Sequence, residues 1–327
     1  MYNVIAIGDA VLDTHVLIDD ASVECNIDGK NCRLCLDYAS KIPIADSFQA
    51  LGGNAANVAV GAAKLGLETA IVSSIGKDGN GKIILDDLKK SGVITDLIYT
   101  DEKIKTRYSI VLNFKGERTI LSYHQKRQYV WPEAVPKTDW VYYTSLSEGF
   151  EPLQEKLINF LNKHESVRLA YNPGSFQLKY SLVSVKEILP QAQILILNLE
   201  EAETVLNTTI EKEKSVSALI HKLLLTGAKE VAITDGKNGA WAGDEEDVWY
   251  LKSFPVEVIS KTGAGDAFSA GYLAARINDH DISTALSWGI ANSCSVITSH
   301  GSQKTLLDKN GIKKMLTKYS QIKSKTV

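Results

Sequence analysis

Short apolar runs rich in β-branched and aromatic residues alternate with amphipathic segments along most of the chain, which predicts strands that alternate with helices. The predicted strands are residues 4–7, 70–75, 140–143, 168–171, 194–198 and 230–234. The predicted helices are residues 55–65, 82–90, 152–162, 216–225, 266–277, 282–298 and 309–319. This alternation is typical of a mostly parallel sheet with helices on both faces, so we expect an α/β fold.

Two segments interrupt the alternation, residues 14–50 and residues 98–125. Within the second, the strand-like runs 108–114 and 119–123 flank a turn that contains Gly116. This pattern predicts a β-hairpin.

The stretch from Thr262 to Asp266 predicts an anion-binding helix start. Glycines at 263 and 265 leave room for a bent backbone whose amides point at one ligand, and the small residues after them indicate a tightly packed helix. The free amides and the dipole at the start of a helix favour a negative charge such as phosphate. Asp266 is a poor neighbour for phosphate unless it takes a proton from an attacking hydroxyl, which favours phosphate transfer. The alternative is an ordinary turn that Asp266 caps.

A second glycine-rich turn opens a helix near the N-terminus. Gly52, Gly53 and Asn57 are grouped where a polyhydroxyl ligand could meet backbone amides and a side-chain amide. The alternative for Asn57 is a bond to backbone at the helix start. Two such helix starts, far apart in the sequence, suggest one site with two ligands.

Further short motifs lie in order between these two stretches: 76–81, 92–93, 116–119, 198–201 and 234–239. With them, nearly the whole chain resembles the PfkB, or ribokinase-like, family of carbohydrate kinases. The resemblance implies a single kinase domain over residues 1–327 with a three-layer α/β/α fold. It also implies that residues 14–50 and 98–125 form a small β lid over the sugar site. The implied activity is ATP-dependent phosphorylation of a hydroxyl of a small carbohydrate, or alternatively of a nucleoside.

The resemblance implies roles for the residues around the acceptor. Asp266 matches the catalytic base, and the amides from Gly263 through Ala264 and Gly265 to Asp266 match an anion hole for the transferred phosphoryl group. Asp13, Gly52, Gly53 and Asn57 match the residues that bind the acceptor. The alternative for Asp13 is a loop cap.

A second group of matches concerns the nucleotide. Asn198 and Glu201 match an N-x-x-E element, and a carboxylate with an amide suits Mg²⁺. Because Mg²⁺ keeps several waters, we expect Glu201 to hold it through water. The alternative is a solvated surface helix turn. Thr234, Gly236 and Gly239 match the nucleotide loop, for which the alternative is a plain turn, and Asn292 falls near the adenine pocket.

The chain departs from the family at Ser260 and Lys261, where relatives carry Asp-Thr and the acid often helps to hold a monovalent cation. Bound potassium is therefore doubtful. Lys261 could instead place its ammonium group near the phosphates, and the alternative is a solvated lysine.

Composition narrows the class of protein only slightly. A net charge of −3 gives no indication of nucleic-acid binding, and no apolar run approaches the roughly 20 residues that cross a membrane. The first residues suggest a buried strand and no signal peptide, so we expect a cytoplasmic protein. The resemblance also implies a homodimer through the lid, since an exposed edge of lid strands often pairs with its twin in this family.

Cys25, Cys32 and Cys35 are spaced closely enough to be three zinc ligands, with His15 as the nearest candidate for a fourth, since Cys294 lies on a predicted core helix. Only three ligands are local, so we expect reduced cysteines in the lid or at a dimer contact.

Two other functions are consistent with parts of the sequence. A binding sensor that has lost turnover would lack the base, but Asp266 is present. A dinucleotide dehydrogenase would carry G-x-G-x-x-G after the first strand, but residues 8–13 lack it.

Overall fold

A computed structural model describes residues 1–26, 32–123 and 125–327 of the chain. The helices are α1 (Asn54–Lys64), α2 (Gly79–Lys90), α3 (Glu151–Lys163), α4 (Ser175–Tyr180), α5 (Leu182–Ile188), α6 (Leu199–Leu206), α7 (Ile210–Glu213), α8 (Val216–Leu224), α9 (Ala264–Ile277), α10 (Ile282–Val296) and α11 (Lys309–Lys318). The strands are β1 (Tyr2–Ile7), β2 (Val11–Ile18), β3 (Ser22–Cys25), β4 (Cys32–Cys35), β5 (Ile44–Gly52), β6 (Thr69–Gly76), β7 (Ile98–Asp101), β8 (Tyr108–Phe114), β9 (Glu117–Tyr123), β10 (Thr138–Tyr143), β11 (Arg168–Tyr171), β12 (Ala192–Asn198), β13 (Val231–Thr234), β14 (Ala240–Gly243), β15 (Val248–Leu251) and β16 (Lys325–Thr326).

The main sheet has the strand order β16-β15-β14-β13-β12-β11-β10-β1-β6-β7. The pairs from β13 across to β7 are parallel, and the pairs from β13 to β16 are antiparallel. Alternate residues of each inner strand enter opposite cores. In β1, Val4 and Ala6 pack on one side of the sheet, and Ile5 and Ile7 on the other. Burial of both faces explains the continuous apolar runs of the sequence and confirms the α/β prediction.

Helices α1 and α9 pack closely on one face of the sheet. Their small residues permit this approach, since a Cβ at Gly61 would lie only 2.6 Å from the Cβ of Ala270. Ala-rich contact surfaces allow the two helix backbones to come near each other. The two glycine-rich helix starts, far apart in the sequence, are therefore neighbours in the fold.

A second, four-stranded sheet with the order β5-β2-β8-β9 forms the lid. Strands β8 and β9 are the predicted hairpin, and Lys115 and Gly116 turn the chain with positive φ angles of 48° and 80°. The small β lid expected from the resemblance is confirmed, and its strands pair antiparallel except for β2 with β8.

The lid boundaries differ from the predicted ones. Strand β2 begins at Val11, before the predicted start, and Ile98–Asp101 pairs with β6 in the main sheet and does not belong to the lid. The prediction that residues 98–101 belong to the lid is wrong. A four-residue strand at the edge of a sheet has too few buried apolar positions to indicate which sheet it joins. Residues 27–31 and 124 of the predicted lid segments lie outside the described residues.

The cysteines of the first lid segment are not all reduced, contrary to our expectation. Cys25 and Cys32 form a disulfide across the β3–β4 hairpin, while Cys35 and Cys294 are free. His15, the proposed fourth ligand, is buried and stacks on Phe48. The disulfide uses two of the three thiols that the alternative zinc site would need, so the structure also contradicts that alternative.

The predicted strands and the longer predicted helices are confirmed to within a few residues. The short helices α4, α5, α6 and α7 and the antiparallel strands β14–β16 were not predicted. Among the described residues, no helix combines the length and apolar character needed to cross a membrane.

Candidate active site

A cavity of about 680 Å³ lies between the lid and the starts of α1 and α9. Three lid strands, β2, β8 and β9, contribute to its walls, as do the loop after β10 and helix α4. The predicted site residues among those that line it are Asp13, Gly53, Asn57, Gly263 and Asp266. A cavity of this volume is typical of a small-molecule site.

The start of α9 forms the floor of the cavity. Gly263 precedes the helix with a φ of 78°, a conformation that favours glycine, and a Cβ at this position would collide with Ser302. Ala264, Gly265 and Asp266 form the first turn, where backbone amides have no intrahelical acceptor. A Cβ at Gly265 would meet no atom within 4 Å, so the space beside it is open. The helix start can therefore receive an anion.

Asp266 is held by Asn57 of α1, whose Nδ2 donates a hydrogen bond of 2.7 Å to Oδ2 of Asp266. Burial raises the pKa of Asp266 to about 7, the hydrogen bond from Asn57 lowers it, and the negative charges of Glu201 and Asp13 raise it. A carboxyl group with this pKa can gain and lose a proton near neutral pH. This is the property that a general base needs.

Asp13 lies on β2 at the lid side of the cavity. Burial raises the pKa of Asp13 to about 6, and a hydrogen bond with Ser109 of β8 lowers it. A Cβ at Gly52 would collide with the Asp13 carboxylate, which explains why glycine is needed there. Gly53, with a φ of 93°, lies against the backbone of Asp9, where a Cβ would also collide.

Two residues missed by the sequence analysis bind the other end of Asn57. Oδ1 of Asn57 accepts hydrogen bonds from Oγ of Ser302 and from Nε2 of Gln303, each at 2.8 Å. Both residues lie in the segment between α10 and α11. In the sequence, the polar, glycine-containing run 299–304 was the one feature that could have indicated a functional loop. Ser302 is 245 positions from Asn57, and no spacing in the sequence relates the two residues.

A buried polar network at the base of the lid was also missed. Asp9 forms an ion pair with Arg107 and accepts a hydrogen bond of 3.0 Å from the hydroxyl of Tyr129. The same hydroxyl contacts Oγ of Ser147 at 2.8 Å. Arg107 and Ser147 line the cavity, so this network fixes one of its walls.

A second group of predicted residues lies where β12 and β13 end, which we call the β12–β13 edge: Asn198, Glu201, Thr234, Gly236 and Gly239. The parallel register pairs Asn198 with Thr234. Asn198 and Glu201 form a capping box at the start of α6, with two hydrogen bonds of 2.9 Å between side chain and backbone. Burial raises the pKa of Glu201, while the hydrogen bond from the Asn198 amide lowers it and Glu200 raises it.

The turn after β13 brings backbone to the surface at this edge. Gly236 has a φ of 49°, and a Cβ there would meet no atom within 4 Å. Gly239 has a φ of 102° and lies against the backbone of Leu251. The edge therefore presents an open turn beside Thr234 and the Glu201 carboxylate. Glu201 is also close enough to Asp266 to raise its pKa, so the edge and the cavity adjoin.

Asn292 lies in a different environment from the other predicted residues. Its side chain is fully buried on α10, where Nδ2 donates to the carbonyl of Ala267 at 2.8 Å and Oδ1 accepts from the amide of Leu307 at 2.9 Å. Both ends of the amide bind backbone. This geometry gives Asn292 a role in holding α9 and α10 together, and we leave it out of the proposed nucleotide site.

Lys261 points toward the lid. Its Nζ lies 3.2 Å from Oε1 of Glu117 on β9, and both side chains are largely exposed. Oγ of Ser260 lies 3.2 Å from Oγ1 of Thr262, and the backbone amides of Ile259 and Ser260 both donate to the carbonyl of Ile297. An exposed ion pair of this kind contributes little to stability, but it links the lid to the segment before α9.

Comparison with known proteins gives a family and a fold. Residues 16–310 match the model of the pfkB family carbohydrate kinases. The chain is 26% identical to a ribokinase of Staphylococcus aureus over 266 residues, which cover 78% of this chain and 84% of the relative.

Solved structures of similar fold cover almost the whole chain. Ribokinase of Arabidopsis thaliana, solved with ribose and ATP, has a TM-score of 0.79 at 20% identity and covers 96% of this chain and 98% of its own. A nucleoside kinase of Methanocaldococcus jannaschii, described as an archaeal member of the ribokinase family, has a TM-score of 0.76 at 20% identity. The match covers 97% of this chain and 99% of the nucleoside kinase. The family match spans both glycine-rich helix starts and the strands that join them, so the chain belongs to the pfkB family of carbohydrate kinases, phosphotransferases whose acceptors are hydroxyl groups.

Proposed function

We propose that this protein transfers the γ-phosphoryl group of ATP to a hydroxyl of a small carbohydrate, with Asp266 as the general base. The observation that carries the proposal is the position of the Asp266 carboxylate, in the first turn of α9 and at the floor of the cavity. A base for the acceptor and amides for the phosphoryl group are thereby placed side by side.

The acceptor binds in the cavity in this proposal. Asp13 accepts hydrogen bonds from acceptor hydroxyls, and Asn57 offers its amide. The absence of a side chain at Gly52 leaves the space that the Asp13 carboxylate occupies, and Gly53 lines the cavity. Because both carboxylates have raised pKa values, each can hold or release a proton as the acceptor replaces water.

The reaction needs one proton transfer and one displacement. The acceptor hydroxyl gives its proton to the Asp266 carboxylate, and its oxygen forms a bond to the γ-phosphorus as the bond from that phosphorus to the bridging oxygen breaks. ADP leaves with the bridging oxygen. The backbone amides of Gly263, Ala264, Gly265 and Asp266 bind the negative charge on the transferred group. The lid excludes water, which would otherwise compete as an acceptor.

The β12–β13 edge holds the nucleotide in this proposal. Thr234 and the open turn at Gly236 and Gly239 approach the phosphates and ribose. Glu201 and Asn198 fit Mg²⁺, since the Glu201 carboxylate is partly buried and raises the pKa of Asp266, a repulsion that a divalent cation would relieve. When bound, Mg²⁺ neutralises phosphate charge.

One observation favours a second candidate, a nucleoside kinase. Phe176 and Tyr180 line the cavity with their ring centroids 4.9 Å apart, and such an aromatic surface can pack against a nucleobase. A solved structure of similar fold is a nucleoside kinase.

The test is ADP release with Mg²⁺ and ATP over a panel of pentoses, hexoses, ketodeoxy sugar acids and nucleosides. We expect at least one acceptor to stimulate ADP release, and Asp266→Asn to abolish the stimulation. Glu155→Gln, the same loss of charge on the exposed face of α3, is the matched control and should behave as wild type. Absence of any stimulating acceptor, or undiminished turnover in Asp266→Asn, would contradict the proposal.

A further inference from the structure

The side-chain amide of Asn57 has hydrogen-bonding partners at both ends. Nδ2 donates to Asp266, and Oδ1 accepts from Ser302 and Gln303. Asn57 is 5% exposed, so water has little access to replace these partners. Three side chains from outside α1 therefore hold this one amide.

These partners determine the direction in which the amide points. An ionised carboxylate only accepts hydrogen bonds, so Asp266 requires the NH₂ end of Asn57. The oxygen end then needs donors, which the hydroxyl of Ser302 and the amide of Gln303 supply. A flipped Asn57 would set its oxygen against the Asp266 carboxylate and its NH₂ group against that of Gln303.

Ser302 and Gln303 belong to the same short segment as the contact that shapes the start of α9. A Cβ at Gly263 would collide with Ser302, so Ser302 packs against the backbone of the anion-binding turn as well as bonding to Asn57. The segment between α10 and α11 thus supports Asp266 from two directions, through α1 and through the residue before α9.

We infer that Ser302 and Gln303 are positioning residues for phosphate transfer, which act through Asn57 on the base. The inference rests on the proposed function, in which Asp266 takes the acceptor proton. One hydrogen of the Asn57 NH₂ group binds the base, and the other remains available to an acceptor hydroxyl. Asn57 therefore aligns the base with the acceptor only while its oxygen end is held.

The charges around Asp266 show why this alignment matters. Asp13 of β2, Glu201 of α6 and the hydroxyl of Tyr142 of β10 all face Asp266. Burial and the two carboxylates favour the protonated form, whereas the hydrogen bond from Asn57 favours the ionised form. Loss of that hydrogen bond should therefore reduce the fraction of Asp266 that is ionised at neutral pH.

Three substitutions at position 303 separate the donor from the bulk of the side chain. Gln303→Met keeps the length and removes the donor, Gln303→Glu places an acceptor there, and Gln303→Lys restores a donor. We expect kcat to fall roughly tenfold for Met and about a hundredfold for Glu, and Lys to remain within about threefold of wild type. The KM for ATP should stay unchanged, and the acidic limb of the kcat–pH profile should move to higher pH for Met and Glu.

Gln321→Met, the same change at an exposed position, is the control for the substitution itself. Ser302→Ala tests the second donor and should shift the acidic limb in the same direction. The inference is overturned if Gln303→Met keeps the wild-type kcat and pH profile, or if kcat falls with no movement of the acidic limb.

A measurement without turnover separates this inference from the proposed function. In ¹⁵N-asparagine-labelled protein, the Nδ2 signal of Asn57, assigned by its loss in Asn57→Asp, should shift as Asp266 titrates. In Gln303→Glu the shift should disappear or move to higher pH. If the signal behaves identically in both proteins, the inference fails even where Asp266→Asn abolishes activity. If no acceptor is phosphorylated but the signal responds as expected, the proposed function fails and the positioning contact stands.

Discussion

The cavity and the β12–β13 edge adjoin each other but are built in different ways. In the cavity, Asp13, Asn57 and Asp266 come from separate elements, and the last two are joined by a direct, part-buried hydrogen bond between side chains. At the edge, Asn198 and Glu201 bond to each other's backbone at a helix start, as capping residues do in many proteins.

This difference separates two physical roles. The side chains of the cavity are held in an environment that opposes their charges, as the raised pKa values of Asp13 and Asp266 show. The edge combines ligand-binding groups with ordinary helix capping, so the same residues stabilise the fold. We expect substitutions in the cavity to reduce turnover without loss of stability, and some substitutions at the edge to reduce both.

The largest effect should come from removal of the base. Asp266→Asn should lower kcat on the order of 10³-fold while the KM for the acceptor stays within about threefold, because the acceptor still binds but loses its proton acceptor. Asp13→Asn should mainly raise the KM for the acceptor. Steady-state kinetics of both variants with the best acceptor will test these expectations. If the two variants change kcat and KM to the same extent, Asp266 and Asp13 do not have the separate roles of base and binding residue.

The next effect concerns stability in the cavity. Burial raises the pKa of Asp266 from about 3.8 to about 7, so between these values the folded protein binds a proton that the unfolded chain has released. This contribution to the free energy of unfolding is present at low pH and is lost as pH rises toward 7. Asp266→Asn should therefore be more stable than wild type at pH 8 by about 2 kcal/mol, with a smaller difference at pH 5.

Urea denaturation at the two pH values measures this difference, with Glu155→Gln as the control of equal charge change. A variant that is less stable than wild type at pH 8 would show that the contact with Asn57 outweighs the burial of the charge.

The contrast between the two regions also explains what could be predicted from the sequence. The strands and both glycine-rich helix starts follow from local patterns, since alternation of apolar runs and glycine before small residues need no knowledge of distant contacts. Asn198 and Glu201 are three positions apart, so their proximity was visible as well.

The contacts that define the cavity could not be predicted in this way. Asn57 and Asp266 are 209 positions apart, and Gln303 is 246 positions from Asn57. Nothing local indicates that Ser302 faces Gly263, or that Asp9 pairs with Arg107. Likewise, the sequence shows that Asn292 lies on the buried face of a helix. Only the structure shows that the side-chain amide of Asn292 is hydrogen-bonded to backbone groups at both ends.

At the edge, two variants of Glu201 should separate ligand binding from capping. Both Glu201→Gln and Glu201→Ala should raise the KM for Mg²⁺-ATP roughly tenfold, because both remove the carboxylate charge. Only Glu201→Ala should lose stability, by about 1 kcal/mol, since glutamine can still accept the hydrogen bond from the Asn198 amide. Kinetics and thermal unfolding on the same preparations test this, and equal stability of the two variants would mean that the capping box contributes nothing measurable.

The smallest effect should be the response to potassium. The resemblance described above implies an acid at the position of Ser260. The hydroxyl of Ser260 lies beside that of Thr262, and its backbone amide donates to the carbonyl of Ile297. No carboxylate of that segment is available to a monovalent cation, and the ammonium of Lys261 is directed to Glu117. Replacement of sodium by potassium at constant ionic strength should therefore change kcat by less than about twofold, in wild type and in Lys261→Ala alike. Activation of tenfold or more would show that other oxygen ligands near the start of α9 replace the missing acid, and would make the cavity depend on an ion as the β12–β13 edge depends on Mg²⁺ in the proposed reaction.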